Sequence, residues 1–219
     1  MEPTILFEDA DLVVVDKPAG MIVHPDGKHD YPALDAWLRA KYGEIFLVHR
    51  IDRETSGVLA VARSEKAYEF IKQQFKDRTV RKTYRAFVHG NFKDERGIID
   101  RPIGSARGGA GPRSARDPYG TTRDAVTMYK RVQNGDGVAY IEVFPKTGRT
   151  HQIRVHMAGI GHPIVGDVLY GSGRPPVLGF SRLALHALTL ALVHPSGKEM
   201  TFSAPLPADF VAAERELAK

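Results

Sequence analysis

The chain has 219 residues, of which 31 are basic and 26 acidic, giving a net charge of +5, and it contains no cysteine. The lack of cysteine excludes disulfides, thiolate zinc sites and cysteine nucleophiles, and it fits a reducing compartment. No apolar run approaches the roughly 18 residues of a membrane-spanning helix, and the first residues lack the features of a signal peptide. We therefore expect a cytoplasmic protein with a single domain over residues 1–219.

The first third of the chain predicts apolar strands and two amphipathic helices. In chain order these are a strand at 12–16, an extended segment at 21–23, a helix at 33–42, a strand at 58–61 and a helix at 65–75. Ser64 is a favourable N-cap for the second helix. The helical period gives that helix an apolar face made of Ala67, Phe70, Ile71 and Phe75.

The remainder predicts mostly strands joined by tight turns. The predicted elements are strands at 83–89, 126–132 and 138–144, a helix at 150–160, strands at 188–193 and 200–202, and a helix at 207–218. Residues 104–123 lack a hydrophobic period and predict a long loop. Because strands outnumber helices and several form hairpins, we predict an α+β fold with an antiparallel or mixed sheet and helices packed on it.

The surplus positive charge is concentrated between residues 101 and 131. That window holds two acidic residues, Asp117 and Asp124, and seven basic ones: Arg101, Arg107, Arg113, Arg116, Arg123, Lys130 and Arg131. Its surplus of five equals the net charge of the chain. A local basic patch indicates a polyanionic partner. The alternative is a solvated loop that carries extra arginine.

Asp52 stands between Arg50 and Arg53, in a turn that leads into an apolar strand. A carboxylate in such a turn is well placed to point into a cleft, because the strand fixes the loop that carries it. Flanking arginines would keep the carboxylate ionised and suit a phosphate-bearing substrate. The alternative is a structural ion pair that anchors the turn.

Two further patterns carry candidate chemistry. Tyr84 enters a strand behind a basic cluster, where its ring is suited to stacking on a base; a half-buried strand tyrosine is the alternative. Arg149 lies in a glycine turn before a predicted helix, and a helix N-terminus is a ready anion site. His151 and His156 are five residues apart, a spacing that does not chelate one metal from one helix, so we predict no metal site.

In this order the motifs resemble the RluA-type family of RNA pseudouridine synthases. The matching segments are VDKPAG at 15–20, VHP at 23–25, HRIDRETSG at 49–57, RKTY at 81–84, TGRTHQIRVH at 147–156, GHPIVGD at 161–167 and LALHA at 183–187. The similarity covers about residues 5–205. It implies the α+β pseudouridine synthase catalytic fold, with a mixed, mainly antiparallel twisted sheet, flanking helices and a central RNA-binding cleft. The family usually has leucine at the position of Ile51, an apolar exchange. Its frequent N-terminal RNA-binding module of the S4 type is expected to be absent.

The resemblance implies a catalytic role for three residues. Members isomerise uridine to pseudouridine in structured RNA without a cofactor, after flipping the base out of its stack. Asp52 matches the catalytic aspartate, acting as nucleophile or base; attack at the sugar, addition to the base and deprotonation at C2′ remain open. Arg154 matches the basic residue that pairs with this aspartate, and Tyr84 the tyrosine that stacks on the target base.

The resemblance also implies that the protein is a monomer. Its expected partner is a stem-loop of ribosomal RNA (23S rRNA), of transfer RNA, or of both. Arg50 matches the arginine that holds the flipped state. The candidate phosphate or ribose contacts are Lys17, Thr55, Arg149 and His151. Leu183 and Leu185 are candidate walls of the uracil pocket, with ordinary core leucines as the alternative. Residues 104–123 would be a mobile arm that grips RNA phosphates.

Two other classes of function compete with the isomerase. One is a non-catalytic RNA-binding or ribosome-assembly factor on the same fold, since fold does not guarantee activity. The other is a metal-dependent phosphodiesterase that uses some of the nine histidines, although their spacing does not favour it. The joint presence of Asp52, Tyr84 and Arg154 favours the isomerase.

Overall fold

A computed structural model describes residues 2–25, 27, 29–106 and 113–219. The described residues form two compact units: Met1–Lys82 with His186–Leu206, and Thr83–Leu185 with Pro207–Lys219. None of the described helices is long and apolar enough to cross a membrane.

The first unit consists of strands and two helices. Its elements are β1 (Thr4–Glu8), β2 (Leu12–Lys17), α1 (Leu34–Tyr42), β3 (Phe46–Leu47), β4 (Ser56–Ala62), α2 (Glu65–Lys76), β12 (Leu185–Val193, from His186 onward) and β13 (Glu199–Ser203). The strand order is β1-β2-β4-β12, with β3 paired to β4 and β13 to β12. Among the strand pairs that the structure describes in this unit, only β4 and β12 are parallel.

Strand β4 is the centre of the first unit, because all seven of its residues are buried. Its start pairs with β12 and its end with β3. Gly57 permits the first pairing: it has φ 115°, and a Cβ there would overlap the backbone of Ala187. A side chain at this position would therefore push the two strands apart.

The second unit carries an antiparallel sheet and a smaller one. Its elements are β5 (Arg81–His89, from Thr83 onward), β6 (Arg96–Asp100), β7 (Ile103–Ser105), β8 (Arg113–Ser114), β9 (Tyr119–Arg123), β10 (Val126–Asn134), β11 (Val138–Pro145), α3 (Gln152–Gly159) and α4 (Ala208–Leu217). The larger sheet has the order β5-β11-β10-β6 and the smaller one β8-β7-β9.

Most predicted elements are confirmed, including the Ser64 cap, whose hydroxyl accepts a hydrogen bond from the N–H of Ala67 at 3.2 Å. Two predictions are wrong. Phe70 is 41% exposed, so it does not belong to the buried face of α2. Residues 104–123 are not a single loop, because three short strands form within 103–123; residues 107–112 lie outside the described part. Mixed pairing with flanking helices confirms the α+β class.

Candidate active site

The turn that carries Asp52 is fastened to buried structure on both sides. The N–H of Thr55 donates to the carbonyl of Asp52 at 3.1 Å, and β4 begins at the next residue. The N–H of Gly20 donates to the carbonyl of Arg53 at 2.9 Å. Asp52 itself is half-buried. The carboxylate therefore stands on a short turn that two backbone hydrogen bonds hold in place.

Lys17 helps to hold this turn. It is completely buried, and its ammonium donates to the carbonyls of Pro18, Met21 and Arg53 at 2.8, 2.7 and 3.1 Å. These bonds tie the turn after β2 to the turn that carries Asp52. The sequence analysis predicts a phosphate or ribose contact for Lys17, but this burial favours a structural role.

His49 anchors the same segment to β4. Its Nε2 accepts a hydrogen bond from the N–H of Ala60 at 3.0 Å, and its ring stacks on Phe75 with 4.8 Å between centroids. Because Nε2 accepts, the neutral ring carries its proton on Nδ1. Burial, followed by the nearby charge of Lys82, lowers the pKa of His49 to about 3. His49 is therefore a neutral acceptor at physiological pH.

The other predicted residues of the turn differ in exposure. Arg50 is exposed, whereas Arg53 is half-buried, pairs with Glu54 at 2.6 Å and lies over the ring of Tyr31. Thr55 is 2% exposed and its hydroxyl has no hydrogen-bond partner among the described atoms. Of the predicted RNA contacts in the first unit, Arg50 is thus the accessible one, and the burial of Thr55 argues against direct contact.

One polar pair near the turn was not predicted from sequence. The hydroxyl of Ser56 lies 2.9 Å from Nδ1 of His186, and both residues are buried. The pair stands where β4 and β12 meet in parallel, since Ser56 and His186 are register partners. A serine and a histidine 130 positions apart give no local signal, so only the topology reveals them.

In the second unit, Arg154 is held by a carboxylate that the sequence analysis did not single out. Its Nε and Nη2 bond to Oδ2 and Oδ1 of Asp167, both at 2.8 Å, and both side chains are nearly closed to solvent. Burial alone would raise the pKa of Asp167, but bonds from Arg154 and from the N–H groups of Tyr170 and Leu169 lower it below its usual value. This bidentate pair fixes the plane of the guanidinium.

Gln152 organises the turn before α3. Its Oε1 accepts from the hydroxyl of Thr147 at 2.6 Å and from the N–H of Arg149 at 3.0 Å. The guanidinium of Arg149 donates to the carbonyl of Asp124 at 3.0 Å. The N–H of Arg149 is therefore not available to an anion at this turn, because it already donates to Gln152. This argues against that part of the predicted anion site. His151 precedes the helix with φ 57°.

The remaining predicted residues lie on strands or in the core of the second unit. Tyr84 is half-buried on β5, opposite Val143 of β11. Leu183 and Leu185 are 2% and 3% exposed. That burial favours the core alternative for both leucines over an open pocket wall. No three His, Asp or Glu side chains in the described part of the chain are grouped so that they would hold a metal ion.

Comparison with known proteins decides the family. The model of the RNA pseudouridylate synthase family matches residues 11–159. The chain belongs to this family. The ribosomal large subunit pseudouridine synthase D of Zymomonas mobilis is 39% identical over 223 residues, covering 94% of this chain and 69% of that protein. The uncharacterized RNA pseudouridine synthase YlyB of Bacillus subtilis is 38% identical, covering 100% and 74%.

Solved pseudouridine synthase structures share the fold. Human RNA pseudouridylate synthase domain containing 4 superposes with a TM-score of 0.80 at 28% identity, covering 98% of this chain and 93% of that one. Human RNA pseudouridylate synthase domain containing 1 gives 0.79 at 31%, covering 94% and 84%. The predicted RluA-type family and the predicted class of enzyme, an RNA-modifying isomerase, are thereby confirmed, and the non-catalytic alternative is not favoured.

Proposed function

We propose that this RNA pseudouridine synthase acts on large-subunit ribosomal RNA and that Asp52 begins the reaction. The family activity converts uridine in RNA to pseudouridine. The choice of ribosomal RNA is supported by relatives from Zymomonas mobilis and Nitrosomonas europaea, 39% and 37% identical, which are named for the ribosomal large subunit. The observation that carries the role of Asp52 is its position on a turn fastened by Lys17 and Thr55 to buried strands.

The reaction needs few groups from the protein. The bond from N1 of uracil to the ribose C1′ breaks, a bond from C5 to C1′ forms, the hydrogen on C5 leaves to water and N1 gains a proton. Asp52 acts as the nucleophile or base that begins this sequence. Tyr84 offers its ring to the flipped uracil. Arg154, whose guanidinium is held in one orientation by Asp167, offers a positive charge at a fixed position.

The RNA is held largely through phosphates. The basic arm, defined here as residues 103–106 and 113–123, presents Arg113, Arg116 and Arg123 as exposed side chains. Tyr119 is 60% exposed beside them, suited to stacking on an unpaired base. Arg50 is a separate exposed basic side chain, on the turn that carries Asp52. The arm binds phosphates, and such contacts position the RNA.

The test is tritium release from ribosomal RNA that contains 5-tritiated uridine, purified from cells lacking the protein. Wild type should release tritium into water. Asp52→Asn, which removes the charge and keeps the shape, should lower the single-turnover rate by at least about a thousandfold. Asp94→Asn makes the same change on an exposed loop and should keep the wild-type rate.

Three results would contradict parts of this proposal. Full activity in Asp52→Asn would remove that residue from the chemistry. Release from transfer RNA but not from ribosomal RNA would leave the isomerase and change its substrate. No release by wild type from either RNA would exclude the proposed substrates altogether.

A further inference from the structure

Tyr170 contacts both the Arg154–Asp167 pair and the basic arm. Its N–H donates to Oδ1 of Asp167 at 3.0 Å, and its ring centre lies 5.2 Å from the guanidinium carbon of Arg154. Its hydroxyl accepts from the N–H of Arg113 at 2.9 Å. A single half-buried side chain therefore connects β8 of the arm with the arginine that we place in the active site.

The apolar side of the arm rests on the same part of the molecule. Ile103 and Ala115 of the arm form a buried cluster with Ala125 and Val155, and the ring of Tyr170 packs against this cluster. Val155 follows Arg154 on α3. The arm therefore packs on α3, the helix that carries Arg154, and Tyr170 packs against the same cluster.

The hydroxyl of Tyr170 also fixes the start of α3. It lies 3.0 Å from Nδ1 of His151. Because the oxygen already accepts from Arg113, its own hydrogen is available for Nδ1, which then acts as the acceptor. His151 has φ 57°, a conformation that costs a residue with a side chain about 1 kcal/mol or more. The bond to Tyr170 helps hold this residue, three positions before Arg154.

We propose that Tyr170 is a positioning residue that couples RNA binding by the arm to the placement of Arg154. The inference rests on the proposed function. Phosphates bound by Arg116 and Arg123 restrain the backbone of β8, and Tyr170 passes that restraint to His151 and to the guanidinium of Arg154. RNA that engages the arm therefore reacts faster once bound, in addition to binding more tightly.

A purely structural tyrosine would behave differently. It would contribute to stability, and neutralising the arginines of the arm would then change only the affinity for RNA. The single-turnover rate at saturating RNA distinguishes the two roles, because all of the enzyme is bound and differences in affinity no longer affect the rate.

The experiment is a double-mutant cycle on that rate, with tritium release as the readout. The variants are Tyr170→Phe, the double variant Arg116→Gln/Arg123→Gln, and their combination. We expect each change alone to lower the saturated rate about three- to tenfold, and the combination to be no slower than the worse of the two. Tyr129→Phe removes the same hydroxyl from a ring that packs on Phe92 and should keep the wild-type rate.

Multiplicative effects in the cycle, or an unchanged saturated rate in the arm variant, would overturn the coupling. Absence of release by wild type would instead reject the proposed function, so the coupling needs a readout that is independent of activity. Exchange of the backbone amide hydrogens of Gln152–Gly159 supplies this readout. Saturating ribosomal RNA should slow exchange there in wild type and much less in Arg116→Gln/Arg123→Gln, whether or not Tyr170→Phe folds. Equal slowing in both proteins would overturn the inference.

Discussion

At the scale of single residues, the candidate active site depends on side chains that hold backbone in place. Lys17 donates to three carbonyls and His49 accepts from one N–H, and both act on segments adjacent to Asp52. A reacting group must be kept within a fraction of an ångström of its productive position. The residues around Asp52 are therefore expected to affect rate through geometry, without contacting the substrate.

His49 gives a direct test of this idea. His49→Gln places an amide oxygen where Nε2 accepts from Ala60, whereas His49→Leu leaves that N–H without its acceptor. We expect His49→Leu to lower the free energy of unfolding by about 1–3 kcal/mol and to slow tritium release, and His49→Gln to recover most of both. Urea denaturation and the single-turnover rate measure the two effects. Equal damage from both substitutions would mean that the ring, not its acceptor, matters.

His49 also predicts a dependence of stability on acid. Its pKa is about 3 in the folded protein and 6.5 as the ordinary value, so the unfolded chain binds the proton first. The stabilising contribution is complete above pH 6.5 and is lost as the pH falls toward 3, by up to about 1.4 kcal/mol per pH unit. Urea denaturation between pH 7 and pH 4 should show a shallower loss in His49→Gln than in wild type. If the free energy of unfolding fell equally steeply with pH in both proteins, the group that takes up the proton would not be His49.

At the scale of elements, the close approach of β4 and β12 depends on a single glycine. Gly57→Ala adds a Cβ that overlaps the backbone of Ala187 and keeps a positive φ, so we expect a loss of roughly 2–3 kcal/mol in urea denaturation. Gly197→Ala shares the positive φ in the turn between β12 and β13, but its Cβ would meet nothing within 4 Å. It should cost about 1 kcal/mol. Equal losses of stability in the two variants would show that the close approach of Gly57 to Ala187 adds nothing to the cost of the substitution.

The elements that the sequence predicts are those with a continuous apolar run or an apolar period. Strand β4 is buried at every residue, and helix α2 buries Ala67 and Ile71 one turn apart, so pattern alone locates them. Strand β9 is exposed along its whole length, and a strand without a buried face has no such period. The sequence therefore predicts a loop for the basic arm, although it does show the concentration of basic residues there.

The site was predicted less completely than the fold, for a related reason. Motif resemblance points to Asp52, Tyr84 and Arg154, but it does not show which carboxylate holds Arg154. Asp167 is thirteen positions away and is brought to Arg154 by the turn that contains Gly166. The resemblance makes Lys17 a candidate phosphate or ribose contact, and its three carbonyl partners are visible only in the fold. Long-range polar contacts of this kind carry no sequence period.

At the scale of the whole molecule, the charge has a strong local bias. The net charge of +5 equals the surplus between residues 101 and 131, so the rest of the chain is electrically balanced. A polyanion would therefore be attracted toward one region rather than to the surface in general. Some exposed arginines elsewhere are paired with neighbouring carboxylates, as Arg96 is with Glu95 and Arg81 with Glu199.

This bias predicts how RNA affinity responds to salt. Each phosphate that a cationic side chain neutralises releases counterions, so the slope of log affinity against log salt counts those contacts. Arg116→Gln/Arg123→Gln should reduce the magnitude of the slope by about 1.4–1.8, measured by filter binding of ribosomal RNA between 50 and 200 mM salt. Lys72→Gln/Arg96→Gln removes the same charge from paired positions outside the arm and should leave the slope nearly unchanged. Equal reductions in both variants would mean that RNA responds to net charge, and the basic arm would then have no special part in binding.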